Sequence, residues 1–226
     1  APPLLRSLVG SEMCIRDSCN PIEHEAAVVM HSLTKYIGGH GAFIGGVIID
    51  GANFDWTADP KRQPLFNEPD PSYGGVVWGE AVPQITGHNI PFAIRARVCL
   101  LRDLGSCLSP DNAFQVIQGI ETLPLRMHQN CSNAERVVDF LEDHPKVERV
   151  IYPKNYDGVV GERAEKYFNG GFGALVGLEL KGGIEAGKKF INSLKLFYHV
   201  ANIGDARSLA IHPATTTHSQ LTPEKQ

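Results

Sequence analysis

Apolar residues run through the chain in two rhythms, one continuous and one helical. The stretch 26–30, Ala26-Ala27-Val28-Val29-Met30, is apolar without a break. That pattern predicts a strand covered on both faces. Residues 42–50 form a second β-rich run, closed by the turn signal Asp50-Gly51. The spacing then becomes helical over 92–104, with Arg95, Arg97 and Arg102 on one face and Leu104-Gly105 as the stop. Ser109 is placed to cap the next helix, with Pro110 at its first position. A further helical stretch, 133–144, keeps Ala134, Val137, Val138 and Leu141 on its apolar side. Residues 147–153 and 172–180 read as strands with a polar loop between them. A helix over 184–194 and a strand over 197–201 follow. This β-β-α-β order predicts a small α+β domain with an antiparallel sheet.

Residues 53–79 fit neither rhythm. A loop of that length inside a domain is usually functional or disordered. Its aromatic residues Phe54, Trp56, Phe66 and Tyr73 argue against disorder.

The chemistry concentrates in 31–41, His31-Ser32-Leu33-Thr34-Lys35-Tyr36-Ile37-Gly38-Gly39-His40-Gly41. Ser32 and Thr34, two apart at a strand's end, share a face if the backbone stays extended. The glycines after Lys35 allow a tight turn that brings backbone N–H groups close to a ligand. Hydroxyls and N–H groups suit an anionic oxygen cluster, and a sheltered lysine suits Schiff-base formation. Taken alone, Ser-x-Thr-Lys is also compatible with a strand ending in a polar turn around a solvated lysine. A nucleotide-phosphate loop fits poorly, because the lysine precedes the glycines.

The run resembles the cofactor-lysine motif of the Cys/Met-metabolism family of pyridoxal-phosphate enzymes. The likeness continues through Gln118–Met127, which is similar to that family's interdomain hinge, and through 202–213 to Thr217-His218-Ser219-Gln220. It implies an α/β fold, namely part of a fold-type I, aminotransferase-like domain with a mostly parallel sheet, plus a smaller α+β C-terminal domain. It further implies that Lys35 carries pyridoxal 5'-phosphate and acts as the catalytic base, that Ser32 and Thr34 bind the phosphate, and that Ser208 meets the substrate. The aromatic segment within 53–79 resembles the insertion of the O-acetylhomoserine sulfhydrylase branch. That branch implies γ-replacement on O-acetylhomoserine by sulfide or a thiol, in a cytoplasmic homotetramer. The alternative within the family is γ-elimination from methionine or cystathionine.

The same likeness sets expectations for the parts. Residues 19–124 are expected to belong to the large cofactor domain and 125–226 to the small one. Residues 1–18 have no clean period and resemble translated sequencing-adapter text, so they are expected to be non-native. Family members are about twice as long. The aspartate for the pyridine nitrogen, the ring-stacking aromatic and the carboxylate-binding arginine find no place on this chain. The 226 residues by themselves are therefore expected to be inactive.

Composition narrows the classes. A net charge of −4 gives no reason to expect nucleic acid or an anionic membrane as partner, and no apolar run approaches a membrane span. The five cysteines form no CxxC pair, which fits reduced thiols in the cytoplasm. The nine histidines are scattered, so no metal site is expected.

Overall fold

A computed structural model describes the backbone of residues 8–10 and, with side chains, residues 19–168 and 171–222. Its first sheet has three strands in the order β1-β2-β3: β1 (Leu8–Gly10), β2 (Val28–Ser32) and β3 (Gly46–Asp50). β1 runs parallel to β2, with Leu8 opposite Val28 and Gly10 opposite Met30. Ala26, Ala27, Val28 and Val29 are all buried, as an apolar run requires, but Met30 is 44% exposed, so the expected burial does not reach the end of the run. The strand begins two residues later than the apolar run and extends through His31 to Ser32. The backbone of Leu8–Gly10 thus lies at an edge of this sheet, inside the stretch expected to be non-native. Residues 1–7 and 11–18 lie outside the described residues.

The chain divides into two compact units. The first gathers 21–31 and 46–110. The aromatic segment is its core rather than a loose excursion. Short helix α1 (Pro64–Asn67) and helix α2 (Trp78–Thr86) interrupt it. Phe66, Trp78, Val82 and Cys99 form a buried cluster flanked by Trp56, Tyr73 and Phe92. Trp56 stacks on Phe92 with centroids 5.3 Å apart, and Tyr73 meets Trp78 edge-on at 4.8 Å. Such ring pairs add about 0.5–1.5 kcal/mol each beyond the area they bury. Asp70 ties the segment down, its carboxylate accepting from Ser72 N and from Trp78 Nε1, each at 2.9 Å. Helix α3 (Pro91–Arg95), a wider-wound stretch (Ala96–Leu101) and α4 (Arg102–Leu104) run on as the expected helix, but its arginines do not share one face: Arg95 Nε is buried, whereas Arg97 and Arg102 are exposed. Asp50 accepts from Ala93 N at 3.2 Å and so caps that helix from a distant strand end.

The second unit gathers 19–20, 32–45, 111–168 and 171–222 of the described residues. Helix α5 (Pro110–Glu121) starts at the proline after Ser109, and helix α6 (Leu123–Glu142) follows almost at once. β4 (Val147–Ile151) and β5 (Gly177–Leu180) pair antiparallel, with Val150 opposite Leu178. Tyr152, fully buried, donates to Gly173 O at 2.9 Å and packs with Ala134 and Val138 of α6. Two expectations need correction here. The polar loop between the strands contains helix α7 (Gly158–Tyr167), whose one buried residue, Ala164, leaves no apolar period to read. Helix α8 (Gly183–Ser193) is where the sequence places it, but the strand after it does not join the antiparallel pair. β6 (Tyr198–His199) pairs in parallel with β7 (Leu209–Ala210) instead. Among the described residues no helix is long and apolar enough to cross a membrane.

Candidate active site

The backbone leaves β2 at Ser32 in extended geometry (φ −78°, ψ 106°) and winds at once into a five-residue helical turn, Leu33–Ile37. The turn is of the wide type: Gly38 N–H bonds back to Leu33 O at 2.9 Å. Lys35 itself departs from helical angles (φ −89°, ψ −132°). The extended run from Ser32 through Thr34 that the sequence invites is therefore absent. Ser32 ends the strand, Thr34 sits in the turn, and the two hydroxyls are not related by strand alternation.

Thr34 Oγ1 is engaged with Gly45, accepting from its N–H at 3.0 Å and donating to its carbonyl at 3.3 Å. Leu33 N–H bonds the same carbonyl at 2.9 Å. Residue 45 thus fixes the entrance of the turn. Ser32 Oγ caps nothing and makes no hydrogen bond among the described residues. Lys35 is half-buried, and its Nζ donates to Asn202 Oδ1 at 3.3 Å. The partner is a neutral amide, and no carboxylate pairs with this lysine among the described residues.

The segment carrying Asn202 packs on the glycines. Ala206 N–H donates to Gly39 O at 2.7 Å. Gly39 and Gly41 hold φ values of +74° and +62°, which side chains disfavour. A Cβ on Gly41 would lie 3.0 Å from Asp205 Oδ2. Asp205 is buried and receives a two-bond clasp from Arg207, Nε at 2.9 Å and Nη2 at 2.8 Å. That clasp holds the carboxyl below its ordinary range. Beneath the turn, Tyr36 is buried with Leu123, Met127 and Cys131. Burial pushes its phenol up to about 12, so it stays protonated.

Of the residues singled out in the sequence, Ser32, Thr34 and Lys35 lie together through chain continuity. Ser208 is exposed at the entry to β7, where its carbonyl accepts from Tyr198 N at 2.9 Å. Its hydroxyl makes no hydrogen bond among the described residues. Asn202 and Asp205 were missed, although the stretch that holds them is part of the family likeness. Nothing in their local pattern marks them. Among the described residues no group of His, Cys, Asp or Glu could hold a metal ion.

Comparison with known proteins bears on this turn. An O-acetyl-L-homoserine sulfhydrylase of Leptospira meyeri is 54% identical, over 92% of this chain and 47% of its own length. A homocysteine synthase of Schizosaccharomyces pombe is 47% identical, over 91% and 47%. The chain spans about half the length of the curated relatives it matches. A Campylobacter jejuni structure named for O-acetylhomoserine (thiol)-lyase superposes with a TM-score of 0.81 at 37% identity, covering 92% of this chain and 48% of that one. It carries a pyridoxyl-lysine monophosphate. A cystathionine gamma synthase of Xanthomonas oryzae superposes at 0.68 with 28% identity, over 96% and 46%. These neighbours establish the fold as the fold-type I architecture that the sequence implies. The Cys/Met metabolism PLP-dependent enzyme family matches residues 11–226 without leaving out the Lys35 turn or the segment packed on it, and the chain belongs to that family.

Proposed function

We propose that the whole protein carrying this segment is a PLP-dependent transferase acting on O-acetylhomoserine. Sulfide or a small thiol replaces the acetate, giving homocysteine or methionine. The observation that carries the reading is Lys35: a half-buried primary amine in a tight turn after a buried strand, held by an amide oxygen rather than a carboxylate. The choice of reaction is supported by the relatives named for sulfhydrylase and homocysteine synthase activity.

The residues present fit the cofactor. Lys35 Nζ would hold its aldehyde carbon covalently. Ser32 Oγ, with no partner among the described residues, would donate to the phosphate. Thr34 Oγ1 would join it by giving up its 3.3 Å bond to Gly45 O, because hydrogen bonds to an anion are shorter and stronger. When bound, the cofactor supplies an electron sink for negative charge on the substrate's α carbon. As a free amine, Lys35 Nζ would then act as the proton shuttle between the α and β carbons, taking a proton from each in turn before acetate leaves and returning one to each after the C–S bond has formed. Acetate would leave the γ carbon with the C–O electron pair, and the sulfur nucleophile would form the new C–S bond there. Ser208 is proposed as a substrate contact on family likeness alone.

In the same reading the protein is a cytoplasmic homo-oligomer, a homotetramer by likeness to the family. Residues 1–18 are non-native, and the large and small domains meet near residue 124. Reduction of the loaded whole protein with borohydride, followed by peptide mapping, should place the pyridoxyl group on Lys35. A label on Lys61 or Lys154 would sink the assignment. Sulfide-dependent homocysteine formation from O-acetylhomoserine, set against α-keto acid release from methionine, separates replacement from elimination.

A further inference from the structure

The guanidinium of Arg126, in the first turns of α6, is directed at main-chain oxygens rather than at a carboxylate. Nη1 donates to Tyr36 O at 2.7 Å, and Nη2 donates to Ile37 O at 3.1 Å and to Gly119 O at 2.7 Å. Nε donates to Thr122 Oγ1 at 3.1 Å. Two of these acceptors are the carbonyls directly after Lys35, at the end of the turn where a helix leaves its oxygens without partners. The other two lie at the end of α5 and just before α6. One rigid fork therefore fastens the Lys35 turn to the junction of two helices.

The glycines around it are cut to this arrangement. A Cβ on Gly39 would sit 2.2 Å from Arg126 Nη1, and one on Gly119 would sit 2.3 Å from Ile37 O. No side chain fits between the turn, α5 and the guanidinium. Charge-assisted bonds from a planar five-donor group are directional in a way that a lysine ammonium is not.

We infer that Arg126 is a positioning residue for the lysine, fixing the direction of the Lys35 turn by bonding the carbonyls of Tyr36 and Ile37. Its hydrogen bonds go to main-chain carbonyls and to Thr122, so it acts through the backbone. The inference rests on Lys35 being the cofactor lysine, and the test is built to separate the two. Arg126→Met and Arg126→Lys are made in the whole protein. Amide hydrogen exchange is read at Gly38 and Gly39, whose N–H groups close the turn onto Leu33 O and Lys35 O, and kcat and KM are measured on the loaded enzyme.

Loss of hydrogen bonds to a charged group should speed exchange at these two amides roughly ten- to a hundredfold, with α8 amides unchanged. A displaced Lys35 should lower kcat about a hundredfold while KM changes little. Arg126→Lys should recover part of both effects, since an ammonium can serve some of the acceptors but not all in one plane. If Arg126→Met does not fold, the lysine variant decides by the same readings. Unchanged exchange at Gly38 and Gly39, or a kcat within twofold or so of the parent in a folded variant, overturns the inference. Borohydride mapping of the parent decides the other matter: a pyridoxyl group on another lysine removes the underlying assignment, whatever the exchange shows.

Discussion

At the scale of single residues, the neutral character of the Lys35 contact is the feature most open to test. Asn202→Asp in the whole protein would put a carboxylate where an amide oxygen now accepts from Nζ. An opposite charge at that distance favours the ammonium form, so the pH–rate profile should move to higher pH. Asn202→Ala removes the contact without adding charge, and its profile should keep its position while the rate falls. Equal profiles for the two variants would show that the contact has no bearing on proton transfer. Asp205 offers a second test, read as stability. The Arg207 clasp lowers its pKa below the ordinary 3.8, so its contribution is complete above that pH and is lost as pH falls through the lowered value. Asp205→Asn should lower Tm above pH 3.8 and flatten the acid side of the Tm–pH curve. A variant whose acid limb coincides with that of the parent would contradict the assignment.

At the scale of elements, α5 and the Lys35 turn approach more closely than side chains permit, and Gly119 is the reason. In an exposed helix, glycine to alanine would gain about 1 kcal/mol of helix propensity. Here the added Cβ would meet Ile37 O at 2.3 Å and Gly38 O at 2.9 Å, both main-chain atoms with little room to yield. Overpacking of this kind costs about 1–3 kcal/mol, so the packing term wins. Gly119→Ala should lower the denaturation midpoint in urea, with the m-value unchanged. A midpoint equal to or above that of the parent would mean that the turn can shift away. The same logic accounts for α7, where a Cβ on Gly161 would strike Tyr156 O at 2.1 Å. Gly161 serves the packing of that helix, Gly158 takes a left-handed backbone (φ +62°) at its start, and both remove the apolar rhythm by which it would be recognised.

At the scale of the molecule, apolar side chains remain on the surface of the 226 residues. Ile44 is 82% exposed, and Ile48 of β3 is 51% exposed. Expressed as these residues alone, the chain should self-associate, with light scattering that grows with concentration, because apolar strand surface invites intermolecular pairing. It should also form no homocysteine from O-acetylhomoserine and sulfide. In the reading proposed above, Lys35, Ser32 and Thr34 supply an anchor and part of a phosphate cup. Loss of an oriented electrostatic partner elsewhere costs about a hundred- to a thousandfold in rate. A turnover comparable to that of a full-length relative would show that the chemistry resides in other residues of this segment.

What the sequence determined by itself is what depends on near neighbours. The unbroken apolar run of β2, the Pro110 start of α5, the glycine turn after Lys35 and the ordered aromatic segment all follow from residues within a few positions of one another. Local steric preference and burial of adjacent side chains suffice to specify them. The tertiary structure alone decided who meets Lys35. Asn202 lies 167 positions away and Arg126 is joined to Tyr36 across 90, and neither carries a periodic signature. It also decided that Thr34 turns toward Gly45, that β6 pairs with β7, and that α7 forms on a single buried alanine. Apart from α7, which rests on the burial of Ala164, the deciding contact is a polar or backbone group satisfied by a partner outside its own element. Hydrophobic rhythm records which side of an element is buried, but it does not record which distant group will satisfy a given hydrogen bond.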